Sequence, residues 1–308
     1  NLIVDIGSND GTLLNQFKLL NHKNLIGVEP TDTINFQKEL KIKSIQKFFN
    51  VDTANLIVKK YGKAKLIVTT NVFAHSNNMS EFINGLKKLI AKDGTFVVEN
   101  HYLLDVIKKN QFDTFYLEHL RTYSLKSLIV LMKYYGFNII DAYTSERYGG
   151  NIQAHFRLNS SSKQTNKNVH KILKEEKRFK LDKLATYTKF KDRIDAHGKI
   201  LSRYLSKNKN KFIVAKAFPA RAAVIIHYYS FLKKYIKYIA EQKTSLKKNK
   251  YVAGTNIKII DSAQMEIDKP DIVIVLAWHL FDPIYSKWIN KGLKKTKFIK
   301  PLPNLIIK

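Results

Sequence analysis

The chain has 308 residues, 44% of them hydrophobic, enough for packed cores in two domains. It has no cysteine, which excludes disulfides and thiolate metal sites, and no run of about 18 apolar residues that would span a membrane as a helix. Basic residues outnumber acidic ones 54 to 25, giving a net charge of +29, but they are mostly lysines spread along the whole chain; that reads as a solvated surface, and neither a membrane nor a nucleic-acid partner is expected.

No basic-plus-apolar leader opens the chain, so a cytoplasmic location is expected. The chain begins at Asn1 inside a strand approach, which reads as a fragment with something upstream. Leu2, Ile3 and Val4 predict a buried parallel strand. Asp5 ends it, Gly7 and Gly11 bracket a tight turn, and a helix opens at Thr12. A strand, a glycine turn and a helix gather backbone N–H groups around a ligand. The next apolar run, Leu25 to Val28, ends at Glu29, 24 residues after Asp5, where a carboxylate can reach a ribose diol. The turn has only two glycines and carries Asp5 and Asp10, which would repel a pyrophosphate. A sulfonium and an ammonium would be attracted. The pattern favours S-adenosylmethionine (SAM), with NAD as the alternative. Asp5, Gly7, Ser8, Asn9, Gly11 and Glu29 are the cofactor-binding candidates.

Lys43 to Phe49 reads as a short third strand and Val51 to Tyr61 as a helix. Lys65 to Thr70 is a strong fourth strand, ending at Asn71-Val72-Phe73-Ala74-His75. Residues at the carboxyl end of a parallel strand face the ligand crevice, so Asn71 and His75 are candidates. Met79 to Ile90 predicts a helix stopped at Gly94, and Thr95 to Glu99 a fifth strand. This alternation argues a doubly wound parallel sheet. Tyr116, Glu118, His119 and Tyr123 then form a polar cluster able to transfer protons, with Ser124 as N-cap of a helix to Tyr135. Phe137 to Ala142 and Ile152 to Leu158 predict an antiparallel pair around Tyr148-Gly149-Gly150-Asn151. Ser160 to Asn168 reads as a linker and Val169 to Leu205 as one long helix.

A second α/β unit is expected from Lys211: a strand at Phe212 to Ala215, a turn through Pro219 and Arg221, and a helix from Ala222 to Ile239. Val252 to Ile260 carries a Gly254 turn and an apolar run. Asp271 to Trp278 is the strongest strand of this half, with His279 at its carboxyl end. The expected division is 1–158, a linker and long helix over 159–208, and 209–308.

These motifs, in this order, resemble the SAM-dependent sugar C-methyltransferase family. The resemblance rests on Asp5 to Leu14, Gly27-Val28-Glu29-Pro30, Asn71 to His75, Phe112 to His119, Tyr123-Ser124, Gly149-Gly150, Pro219-Ala220-Arg221, Gly254-Thr255 and Leu276-Ala277-Trp278. It implies a Rossmann-like SAM-dependent methyltransferase domain followed by a second, smaller Rossmann-like α/β domain, with zinc only in a further N-terminal domain and no metal in the part given. It implies a nucleotide-linked keto-deoxysugar as small-molecule substrate, an α proton removed, and methylation of the resulting enolate. His119 matches the family's base, with Glu118 and Tyr116 beside it. His75, Tyr123, Asn151 and Arg221 are carried as substrate-binding candidates. Two alternatives stay open: methyl transfer to oxygen or nitrogen, and nucleic-acid binding on a degenerate scaffold. The chain departs from the family pattern Gly-Tyr-Gly-Ala-Pro-Ala-Lys/Arg-Gly at Ala215, Lys216, Ala217, Phe218 and Ala222, and His279 stands where asparagine is usual.

Overall fold

The computed structural model describes residues 1–158 and 165–308. The start of the expected linker, Ser160 to Gln164, lies outside the described residues. The chain forms two compact units: Asn1–Leu104 with Glu118–Leu181, and Asp105–Leu117 with Asp182–Lys308.

In the first unit, β1 (Leu2–Ile6), α1 (Thr12–Leu19), β2 (Leu25–Val28), α2 (Asn35–Glu39) and β3 (Lys43–Ile45) are followed by α3 (Val51–Tyr61), β4 (Ala64–Thr70), α4 (Met79–Leu89) and β5 (Ile90–His101). Helix α5 (Leu103–Lys108) leads the chain into the second unit. On its return come α6 (Leu125–Tyr134), β6 (Phe137–Ser145), β7 (Asn151–Leu158) and α7 (Lys167–Phe179). The strand order is β3-β2-β1-β4-β5-β7-β6, with β7 antiparallel to both neighbours. Every residue of β1 is buried, as its central place between β2 and β4 requires. Val4, Ile6, Ile67, Phe96 and Val98 pack with α3 and α4 on one face; Ile3, Leu14 and Leu25 form the core of the other. Asn50 and Asn78 cap α3 and α4 through their side chains, and Ser124 forms a capping box with Ser127 at α6.

The second unit runs through α8 (Leu184–Lys207), β8 (Ile213–Lys216), α9 (Ala222–Tyr228), α10 (Leu232–Tyr235), β9 (Tyr238–Glu241), β10 (Lys258–Asp261), α11 (Gln264–Asp268), β11 (Ile272–Val275), α12 (Phe281–Asn290), β12 (Lys297–Lys300) and β13 (Ile306–Ile307). Its order, β10-β9-β8-β11-β12-β13, is the doubly wound arrangement with β13 antiparallel at the edge.

Four expectations need correction. The strand expected at Thr95 starts at Ile90 and runs to His101, so Gly94 lies inside it. The single helix from Val169 to Leu205 is two, broken where Lys180 takes φ 57°. The helix from Ala222 to Ile239 ends early, and Tyr238–Glu241 is the strand β9; an apolar run bordering a helix carries no periodicity that separates the two. Asp105–Leu117 groups with the second unit because Arg221 donates to both Asp113 oxygens, at 2.6 and 2.8 Å, and Phe112 packs on Tyr228 and Tyr229.

The turn after β8 is strained. Ala217 has φ 65°, and its N–H donates to the Ala240 carbonyl at 3.0 Å. A left-handed conformation costs a residue with a Cβ about 1–2 kcal/mol. Ala217→Gly is expected to stabilise the second unit by roughly 0.5–1 kcal/mol, net of glycine's entropy. Calorimetry should show a Tm raised by a few degrees, and an unchanged or lower Tm would contradict the strain.

Candidate active site

The turn after β1 is held from three sides. The N–H groups of Gly7 and Ser8 donate to the Val28 carbonyl at 2.7 and 3.2 Å. Gly7 has φ 75°, and a Cβ there would lie 2.1 Å from Val72 Cγ2, so only glycine fits against the end of β4. Buried Gln37 donates through Nε2 to Ser8 Oγ at 2.8 Å and to the Asn9 carbonyl at 2.7 Å. Glu29, at the end of β2, accepts from Asn9 N at 3.1 Å through Oε2. Its Oε1 accepts from the Thr31 N–H at 3.0 Å and hydroxyl at 2.7 Å. Gly11, with φ 85°, precedes α1.

At the strand ends of this site, the Asp5 and Asn71 side chains each carry an acceptor with no protein partner among the described residues. Asp5 is 2% exposed and its Oδ1 is unpaired. Burial, and next the charge of Glu29, push its carboxyl up to about 7. Asn71, at the end of β4, has φ 56°; its N–H donates to the Glu99 carbonyl at 2.8 Å, and its Oδ1 is buried and unpaired. Unpaired acceptors at the carboxyl ends of β1 and β4, where the strand order reverses, suit a ligand rich in donors. SAM has such donors in its ammonium and ribose hydroxyls.

Beside this turn lies a histidine cluster. His75, in the turn after β4, and His119 have ring centroids 4.9 Å apart. His101, the last residue of β5, lies 5.0 Å from His119 and 6.4 Å from Tyr148. Burial lowers the pKa of His75, against the Glu118 charge and a hydrogen bond with the Asn71 backbone. Arg121 Nη1 donates to the Ser76 carbonyl at 2.6 Å and so ties the His119 loop to the His75 turn. Glu118 is exposed and His119 half-buried. Tyr116 falls on the segment that groups with the second unit, where its N–H donates to the Thr114 carbonyl at 3.1 Å.

The substrate-binding candidates separate. His75 stays in the cluster. Tyr123 is buried with its ring 5.6 Å from that of Phe73, and burial pushes its phenol up to about 12. Asn151 is fully buried and donates to Glu99 Oε1 at 2.8 Å. Arg221 belongs to the second unit; it donates to Asp113 and to Thr114 Oγ1 and lies over the Trp278 ring at 4.9 Å. Sequence reasoning missed His101, Glu99 and Tyr148. Strand alternation was the available signal, since Glu99 and His101 share a face at the end of β5. Among the described residues, no group of three or more His, Cys, Asp or Glu is arranged to hold a metal ion, and no helix is long and apolar enough to cross a membrane.

A doubly wound sheet ending in an antiparallel hairpin, with an acid-lined turn at its switch point, defines a Rossmann-like SAM-dependent methyltransferase. Residues 2–142 match a methyltransferase domain family, and residues 146–303 match the C-methyltransferase C-terminal domain family. The chain belongs to this C-methyltransferase family. It is 27% identical over 309 residues to the C-methyltransferase NovU of Streptomyces niveus, covering 98% of this chain and 72% of that protein. Among solved structures it is similar to the plantazolicin methyltransferase BpumL, at 14% identity and TM-score 0.41, over 51% of this chain and 76% of that one. It is also similar to a SAM-dependent methyltransferase of Clostridium acetobutylicum, at 11% identity and TM-score 0.41, over 51% and 84% of the two chains.

Proposed function

We propose that the enzyme methylates a carbon beside the keto group of a nucleotide-linked deoxysugar, a small-molecule substrate, with His119 as the base. One observation carries this reading: His119 stands against His75, whose burial favours the neutral ring, at the carboxyl ends of β4 and β5. The sequence resemblance supports the sugar, and the basic surface suits an anionic nucleotide. Asp5, Gly7, Ser8, Asn9, Gly11, Glu29 and Asn71 would hold SAM, which supplies an electrophilic methyl group. His119 takes the α proton of the ketone, a weak carbon acid whose loss needs a positioned base. The His75 ring, held by its hydrogen bond with the Asn71 backbone, packs against the base. Glu118, next in sequence to His119, favours the imidazolium that forms.

The test is mass spectrometry on nucleotide-linked 4-keto-deoxysugars in deuterated water, with and without SAM. Deuterium at the α carbon, plus a methyl gain with SAM, is the expected result. A methyl gain with no exchange would move the reading to an oxygen or nitrogen acceptor. A second prediction concerns pH. Ionised Asp5 attracts the cationic cofactor, so SAM affinity should rise with pH and level off above about 7. At pH 6 the Kd should be about tenfold weaker than at pH 8. The folding linkage has the opposite sign. Asp5 is protonated in the folded state from about 3.8 to about 7 but ionised when unfolded, so the apo fold loses stability as pH rises through that window. Titration calorimetry of Asp5→Asn should show weaker binding without the wild-type pH slope; an identical slope would remove Asp5 from the site.

A further inference from the structure

Methyl transfer from a sulfonium to a carbon that carried hydrogen releases one proton per turnover. The C–H bond breaks, its electron pair ends in the new carbon–methyl bond, and the proton stays on the base. His119 therefore ends each cycle as an imidazolium and has to be reset. Two imidazoles flank it. Burial makes His75 a weak proton acceptor. His101 differs in how it is held: it closes β5 and pairs in register with Asn151 of β7, so its backbone is fixed by the sheet, whereas His119 sits on a loop. Its ring is 5.0 Å from that of His119, tilted by 51°, and 6.4 Å from Tyr148 on its other side.

We propose that His101 is a positioning residue for His119, steadying its imidazole and accepting the proton it has gathered. In this step an N–H bond at His119 breaks, one at His101 forms, and His101 passes the proton to water. The charged and titratable groups around the pair are His75 and Glu118 on the His119 side, and Arg147, Tyr148 and Glu99 on the β5–β7 side. The Glu99 oxygens accept from Asn151 at 2.8 Å and Gln153 at 3.2 Å. Tyr148 is held at φ 52° beside Gly149 and Gly150, a strained turn of the kind that gathers at functional sites.

The proposal rests on His119 as base, and its test separates the two. Ring-nitrogen NMR of the full chain, from about pH 5 to about pH 9, follows both imidazoles. In His101→Gln the titration of His119 should move by about half a unit or more, and in His119→Gln that of His101 should move equally, since coupling is reciprocal. If His101→Gln does not fold, the wild type decides alone: coupled rings titrate in two steps each, and independent single steps overturn the proposal. An unmoved His119 also overturns it. With a substrate that turns over, kcat of His101→Gln should fall about tenfold with KM little changed, and added imidazole should restore it. Full turnover in His119→Ala would instead defeat the base reading.

Discussion

His119→Ala should lower methyl transfer by about 10²- to 10⁴-fold, the usual worth of a positioned base, while SAM binding stays within about twofold. The split follows from position. The turn after β1 is held by Val28, Gln37 and Glu29. His119 sits on a separate loop, joined to the site by Arg121 to Ser76 and flanked by the His75 and His101 rings. Turnover and equilibrium dialysis on the same preparation separate the two effects. Loss of SAM binding along with activity would mean that His119 supports the cofactor turn. Unchanged turnover would remove it as the base and return the role to its neighbours.

Asp113→Ala should cost the second unit about 3–5 kcal/mol, because it leaves Arg221 buried without a counter-charge. Asp113 is fully buried and Arg221 is 7% exposed. The carboxylate also accepts from Trp278 Nε1 at 2.7 Å, so three donors lose their acceptor together. The Tm should fall by roughly 10 °C, read by calorimetry on the intact chain. Replacing both partners, as in Asp113→Leu with Arg221→Met, should recover much of the loss, since a paired apolar substitution leaves no stranded charge. A fall of less than about 2 °C in the single variant would show that water reaches the arginine. Arg221 therefore holds the segment Phe112–Thr114 in place within its unit, in addition to any role toward substrate.

The first unit was legible wherever the signal is local. Leu2 to Val4, Leu25 to Val28 and Lys65 to Thr70 are short apolar runs closed by turn residues, and each is a strand. The glycine turn was legible as a turn because positive φ at Gly7 and Gly11 is a local demand. Ser124 was legible as a cap for the same reason. The second unit was harder. Strand β9 follows helical turns with no glycine or proline between them, so periodicity alone could not end the helix.

Sequence by itself determined the fold class and the glycine turn after β1, and it offered His75 and His119 as candidates, because these depend on residue type and short spacing. Only the tertiary structure decided their company. His101 joins His119 through the end of β5, and Arg221 meets Asp113 across 108 residues of chain. Such pairings follow from sheet register and from the need to satisfy buried charge, and neither is written in the neighbouring residues.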